Sequence, residues 1–379
     1  MVYTRKTIAV IDMDDLRSSH WGSGQARATR EVFKRLTDTY DITIYSSKYP
    51  GYKDYTEDGL KYVHIGIDHP NPQFTNIWFL ANIPFFVRTI KNADLIVENF
   101  NAPTSVSFAP AFTRIPVVGI PTMFNASEFA KKYHIPFHWV EQWGIKYYKY
   151  MTAYSDIDSA KIEKLNPHIE YRIIPQGVGE EFFAIPHHKP KHILFLGRLD
   201  IWQKGVDLLL QSYAKVAERI GYPLVIAGHG SDEKKLKELA SKLGIQDTVS
   251  FTGGAYGDMK TKLISEALFV AFPSRHDELS LWALEALASG MPIVSFDLPE
   301  GRWMSDDVAL KAPAFDIEAY AAQMLQATDP ETNSNMRIAA RNFARAYTWD
   351  RVVAQYRDFF EYIINKEHKP SYSVNELKS

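Results

Sequence analysis

Apolar residues in this chain gather into short runs, and each run gives way to a longer stretch with helical spacing of its apolar positions. In the first half the runs lie at 8–11, 42–45, 62–67, 95–97, 117–120, 151–154 and 171–174. In the second half they lie at 193–196, 224–227, 249–251, 268–272 and 293–296. Short apolar runs without polar alternation suit strands buried on both faces, and the helical stretches between them predict βα units with parallel sheets. A polar, proline-flanked break at 186–191 precedes a fresh strand, which predicts one domain over 1–186 and a second over 187–348. Residues 335–366 read as helical, and the segment 349–379 is expected to pack a helix back on the first domain and end in a polar tail. The predicted class is α/β, with two Rossmann-like, doubly wound domains. Such sheets take ligands at the carboxyl ends of their strands, so two of them facing each other would form a cleft.

The longest apolar stretch, 77–87, contains Asn82 and Pro84 and is well short of the roughly 20 residues of a membrane span. The chain of 379 residues is 46% hydrophobic and 23% charged with a net charge of −2. Basic and acidic side chains also balance within residues 1–186, so no global field points to nucleic acid or to an anionic surface. The absence of cysteine excludes disulfides and thiolate metal sites. Thr4, Arg5 and Lys6 are followed at once by a strand-like run rather than a leader-like one. The expected location is therefore cytoplasmic, peripheral at most on the inner face of the membrane.

Two segments carry chemistry. Gly197-Arg198-Leu199-Asp200-Ile201-Trp202-Gln203-Lys204-Gly205 follows the run 193–196 and precedes a predicted helix over 206–220. It sets two cations in a loop at a strand's carboxyl end, beside a helix N-terminus with unpaired N–H groups. That suits a diphosphate, with Arg198 forking two oxygens and Lys204 acting as a point charge. Taken alone, the loop reads equally well as solvated surface. In the second segment, 273–292, Asp277 lies in a loop, Ser280 is the expected N-cap of a helix over 281–289, Glu285 sits one turn in, and Gly290 ends it. The two carboxylates can accept hydrogen bonds from paired sugar hydroxyls, although a lone Glu would more simply pair locally.

These segments resemble the C-terminal domain of family 4 of the retaining glycosyltransferases. So do Val225-Ile226-Ala227-Gly228-His229-Gly230, Leu243-Gly244-Ile245, Val249-Ser250-Phe251-Thr252-Gly253, Ile174-Pro175-Gln176-Gly177-Val178 and Tyr347-Thr348-Trp349. The resemblance covers 173–349 well and the first 172 residues loosely. It implies the GT-B fold and transfer of a sugar from a nucleoside-diphosphate sugar to a hydroxyl acceptor, a glycan, glycolipid or protein-linked glycan, with retention and without metal or other cofactor. By resemblance Arg198 and Lys204 bind the diphosphate, Asp277 the donor sugar and Glu285 the ribose. Gly197, Gly228, Glu278, Leu279, Ser280 and Leu281 join them at the donor. The family's mobile glycine loop falls on Gly22-Ser23-Gly24.

The chain departs from the pattern in three places. Asp277 replaces the family's first glutamate, Glu278 replaces a glycine, and no histidine occurs in Pro121-Thr122-Met123-Phe124-Asn125, where Thr122 or Asn125 would take the acceptor-side role. These departures leave open a catalytically silent, nucleotide-sugar-binding partner, and the fold also leaves open phosphorylase-like or sugar-phosphate synthase activity.

Two lesser features have plainer readings. Asp12-Met13-Asp14-Asp15 contains a DxD string, which reads here as loop capping rather than a metal site. Residues 129–151 mix aromatics with lysines; a helix from Pro136 would align Val140, Trp143, Tyr147 and Met151 on one face. The favoured reading is a core helix with lysines reaching outward, the alternative a membrane or acceptor-binding surface.

Overall fold

The computed structural model describes residues 5–18, 24–100, 104–122, 124, 126–277 and 279–368, with the side chains of 128, 129, 132 and 133 excepted. Gly22, Ser23, Asn125 and Glu278 lie outside the described residues. The chain packs as two units, Met1–Pro175 with Val352–Ser379, and Gln176–Arg351.

The first unit holds β1 (Lys6–Asp12), β2 (Tyr40–Ser47), β3 (Tyr55–Glu57), β4 (Leu60–Ile65), β5 (Leu95–Phe100), β6 (Val117–Pro121), β7 (Tyr150–Ala153) and β8 (Glu170–Ile173). They form one sheet in the order β3-β4-β2-β1-β5-β6-β7-β8, and only the β3–β4 pair is antiparallel. Every residue of β5 is buried, as expected for a central strand covered on both faces. The helix Trp349–Glu367 puts Phe359, Phe360, Ile363 and Ile364 in the interior. Within this unit it is tied by Arg357 to Asp38 (3.2 Å), by Lys6 to Asn365 (3.1 Å) and by Tyr150 to Glu367 (2.6 Å).

The second unit holds β9 (His192–Leu196), β10 (Leu224–Ala227), β11 (Val249–Gly253), β12 (Ala267–Phe272), β13 (Ile293–Phe296) and β14 (Ala309–Ala312). The sheet is parallel throughout, in the order β11-β10-β9-β12-β13-β14. The order therefore reverses between β9 and β12, and the crevice of a doubly wound sheet opens at that reversal, outside the strands' carboxyl ends. A core that includes Ile193, Leu209, Ile226, Phe269 and Tyr320 lies in this unit, and Leu194, Val270, Leu284 and Leu287 are buried besides.

All the apolar runs fall on strands, but β3 and β14 are additional. Neither has an apolar run: β3 is a three-residue hairpin arm turned by Asp58 and Gly59, both at positive φ (52° and 78°), and β14 is Ala-Leu-Lys-Ala. The units divide at Pro175, ahead of the polar break at 186–191. The intervening residues pack with the second unit: Val178 bridges Thr348, and the ring of Trp349 leaves no room for a Cβ at Gly177. The helix expected over 206–220 is two, Val206–Ala214 and Ala217–Ile220, and that over 335–366 is Pro330–Ala344 followed by Trp349–Glu367.

The core helix expected in the aromatic segment is overturned. The helix Phe137–Gly144 ends early, Met151 is buried in β7, and Trp139, Trp143 and Tyr147 are exposed. A 3-10 turn at Ile145–Tyr147 breaks the register that would have carried Tyr147 and Met151 onto one face.

Candidate functional site

The loops after β9 and β12 flank the strand-order reversal of the second unit, and side chains stitch them together. Asp200 caps the short helix Ile201–Lys204 by accepting from the Gln203 backbone N–H (3.1 Å). The turn closes at Gly205 (φ 61°), where a Cβ would overlap the Pro273 carbonyl oxygen. That close approach brings the two loops into contact. Arg275 grips both carboxylate oxygens of Asp207 (2.7 and 2.8 Å) and the Ile201 carbonyl (2.6 Å), and its own backbone N–H donates to Gln203 (2.8 Å).

On this frame Lys204 forms an ion pair with Asp277, both largely shielded from solvent, and Ser274 donates to the same carboxylate (3.2 Å). Arg198 is exposed and donates to the Gln203 side-chain carbonyl. Lys204, Asp277 and, through Gln203, Arg198 are thus gathered around one turn. Gly197 and Gly228 form its floor: a Cβ on Gly228 would overlap the Gly197 carbonyl oxygen. The backbone N–H of Gly197 donates to Ala227 (3.0 Å) and that of Gly228 to Gly253 (2.8 Å).

Glu285 is buried in the helix Leu281–Ala288 and accepts from Lys260 Nζ (2.5 Å), which comes from the helix Gly257–Ser265. Lys260 also lies over the rings of Phe182 (5.0 Å) and Trp282 (5.4 Å). Leu279 is buried and Leu281 half-buried. Ser280 holds the N-cap position in extended conformation, but its hydroxyl makes no capping bond, against expectation. Sequence reasoning missed Lys260, Arg275, Asp207 and Gln203 as partners in the site. Gln203 and Arg275 lie within the segments 197–205 and 273–292; Lys260 carried no signal, because its partner is 25 residues away.

In the first unit, Gly24 begins the helix Gly24–Lys34, and Thr122 follows β6 with its backbone N–H on the Phe100 carbonyl (3.2 Å). The aspartate string at the end of β1 caps its own loop. Asp12 accepts from the Asp14 backbone N–H (3.0 Å), Asp14 from that of Asp15 (3.0 Å) and Asp15 from that of Arg17 (2.8 Å). Burial, reinforced by Asp14, pushes the Asp12 carboxyl up to about 7. Asp15 is itself buried but is held below its usual range by His64 Nε2 (2.7 Å), the Arg17 backbone and Tyr55. Among the described residues no group of three or more His, Asp or Glu is arranged to hold a metal ion.

Residues 179–343 match the family described as Glycosyl transferases group 1. An uncharacterized glycosyltransferase of Methanocaldococcus jannaschii is 41% identical over 104 residues, 27% of this chain and 26% of that protein. A GDP-mannose:cellobiosyl-diphosphopolyprenol alpha-mannosyltransferase of Komagataeibacter xylinus is 27% identical over 202 residues, 51% of each chain. The matches thus span about a quarter of the first relative's length and about half of the second's. Among solved structures, sucrose-phosphate synthase from Thermosynechococcus elongatus superposes with a TM-score of 0.78 at 16% identity, covering 96% of this chain and all of that one. Residues 179–343 thus resemble the glycosyl transferases group 1, and the strand orders of the two sheets together with the superposition give the chain the GT-B fold.

Proposed function

We propose that this protein transfers a sugar from a nucleoside-diphosphate sugar to a hydroxyl acceptor, with retention at the anomeric carbon. The observation that carries the reading is the pairing of Lys204 with Asp277 at the strand-order reversal, beside Arg198 and the start of the helix Val206–Ala214. As the glycosidic bond breaks, negative charge grows on the leaving diphosphate. Lys204, Arg198 and the helix N-terminus supply positive potential there, which is the main electrostatic demand of the step. In this account the reaction proceeds without a divalent cation, because those groups perform the task one would perform.

Asp277 holds the donor sugar, and its charge favours an electron-poor anomeric carbon. Glu285, fixed by Lys260, accepts from the ribose hydroxyls. No carboxylate is assigned as a nucleophile, so the acceptor attacks from the face the diphosphate leaves, with the diphosphate taking the acceptor's proton. The acceptor is a glycan or a glycolipid; a polyprenol-linked glycan is what the K. xylinus relative's name describes. Thr122 and Asn125 are assigned to the acceptor side, and Gly22, Ser23 and Gly24 to the donor phosphates.

A second reading, a nucleotide-sugar-binding partner without turnover, is favoured by one feature, Asp277 standing where the family has glutamate. A panel of nucleoside-diphosphate sugars, read by nucleoside-diphosphate release and by the product's anomeric configuration, tests both. Retained configuration with one donor supports transfer. Tight nucleotide binding with no turnover of any donor, with or without acceptor, would sink it in favour of the second reading.

A further inference from the structure

The helix Pro72–Phe86 of the first unit has no charged residue. Such a helix belongs in a core, where both sides are covered. Here only one side is covered: Thr75, Phe79, Ile83 and Pro84 are buried, while Phe74, Ile77 and Phe85 are 50%, 51% and 60% exposed. The exposed three, with Ala81 between them, recur at helical spacing and form one continuous stripe. The stripe has neighbours of the same kind. Phe85 meets Phe112 at 5.8 Å, and Phe108, which opens the turn ending at Phe112, meets Tyr147 at 6.0 Å. Beyond Tyr147 stand Trp143 and Trp139, 60% and 61% exposed. An apolar face of this extent is uncommon on a soluble domain unless something covers it.

Asp68 is exposed ahead of the helix, but among the described side chains of 87–149 the exposed charges are basic. Arg88 and Lys91 follow the helix, Arg114 follows Phe112 and Lys146 precedes Tyr147, all exposed, while Lys149 is paired with Glu367 (2.5 Å). Lys146 lies 4.2 Å from the Trp143 ring centroid. Among the described side chains of 72–149, the carboxylates turn to the protein instead. Glu98 is buried against Tyr148 (2.5 Å), Glu141 accepts from Ser105 (2.6 Å) and Asp94 from the Thr7 backbone (2.7 Å). The neutral balance of the first half of the sequence therefore hides a local segregation, with acids turned inward and bases outward.

We propose that this face docks the protein on an anionic lipid bilayer, lying in the interface and not crossing it. The helix, at 15 residues, is about 22 Å long, short of the roughly 30 Å hydrocarbon core. No helix among the described residues is long and apolar enough to span one. Aromatic rings inserted at the headgroup level with lysines and arginines beside them are the side-chain types that bilayer interfaces select. The basic rim draws the face to anionic headgroups, and Phe85, Ile77, Trp143 and Trp139 then enter the acyl boundary. The proposal does not rest on the transferase reading, since its readout is partition and not turnover.

The test is flotation of the purified chain with vesicles of phosphatidylcholine alone and of phosphatidylcholine with phosphatidylglycerol. Binding is expected to the anionic vesicles, weakened by salt and accompanied by a blue shift of tryptophan emission. In Phe85→Ser/Trp143→Ser the partition coefficient should fall at least about tenfold. Arg88→Glu/Arg114→Glu keeps the apolar face and should lose the preference for anionic vesicles, which preserves the test if the first variant folds poorly by circular dichroism. Wild-type chain that stays with the soluble fraction, or variants that float as well as wild type, would overturn the proposal. So would a dimer abolished by the same variants in the absence of any vesicle binding, which would assign the face to a second copy of this chain.

Discussion

Lys204 and Asp277, 73 residues apart in sequence, close an ion pair where the strand order of the second unit reverses. In the proposed reaction the donor diphosphate competes with Asp277 for this lysine. Lys204→Ala or Arg198→Ala should therefore lower kcat/KM by at least about 100-fold, the scale of a lost transition-state charge contact. Steady-state kinetics on the best donor checks this, and near-normal turnover in both variants would remove the diphosphate assignment.

In the proposed reaction Asp277 is assigned a place near the bond being broken, so its substitutions should act on kcat. Asp277→Asn keeps the size but loses the charge, and kcat should fall. Asp277→Glu lengthens the side chain within a frame fixed by Ser274 and Lys204, which should displace the sugar and also reduce activity. Turnover in the glutamate variant alone, with a silent wild type, would mean the wild-type chain is not an enzyme.

Glu285 is assigned a contact present in both ground and transition states, so Glu285→Gln should chiefly raise donor KM. The buried Lys260–Glu285 pair adds a stability effect. Removing either partner takes the ion pair from the other and should cost about 3 kcal/mol. Lys260→Met/Glu285→Gln should cost clearly less than the sum of the single changes in urea melts, and simple additivity would show that the pair is uncoupled.

Burial pushes Glu98 up to about 7, only partly offset by hydrogen bonds from Tyr148 and Ser107. A carboxyl raised in the folded state favours folding fully below its unfolded value of 4.5, and that contribution is lost as pH rises through about 7. Glu98→Gln keeps the hydrogen-bonding shape without the titration. Its stability relative to wild type should rise across that window, by about 1.4 kcal/mol for each pH increment of one, and level off above it. Urea melts of both proteins from acid to mildly alkaline pH would show a constant difference if Glu98 does not titrate there.

Transfer should survive EDTA, because Arg198, Lys204 and a helix N-terminus are assigned the charge of the leaving group. Complete loss, restored by Mn²⁺ or Mg²⁺, would return the Asp12–Asp15 string to consideration as a metal site.

The sequence by itself determined the strands that carry an apolar run, though not β3 or β14. A strand covered on both faces must be apolar throughout, so β5, β9 and β12 announce themselves locally. Which glycines meet other backbone was not legible: Gly205 and Gly228 stand where any Cβ would overlap a carbonyl oxygen of a neighbouring loop, a contact that only the packed loops create. Pairings were decided by tertiary structure alone. Nothing near Glu285 in the chain names Lys260, and nothing near Asp277 names Lys204, because these partners come from different βα units that meet only once the sheet has formed. The exposure of Trp139 and Trp143 was equally hidden. A helical apolar stripe reads the same whether it faces a core or an interface, and only the chain packed beneath it, ending the helix at Gly144 and burying Met151 in β7, settles which side is covered.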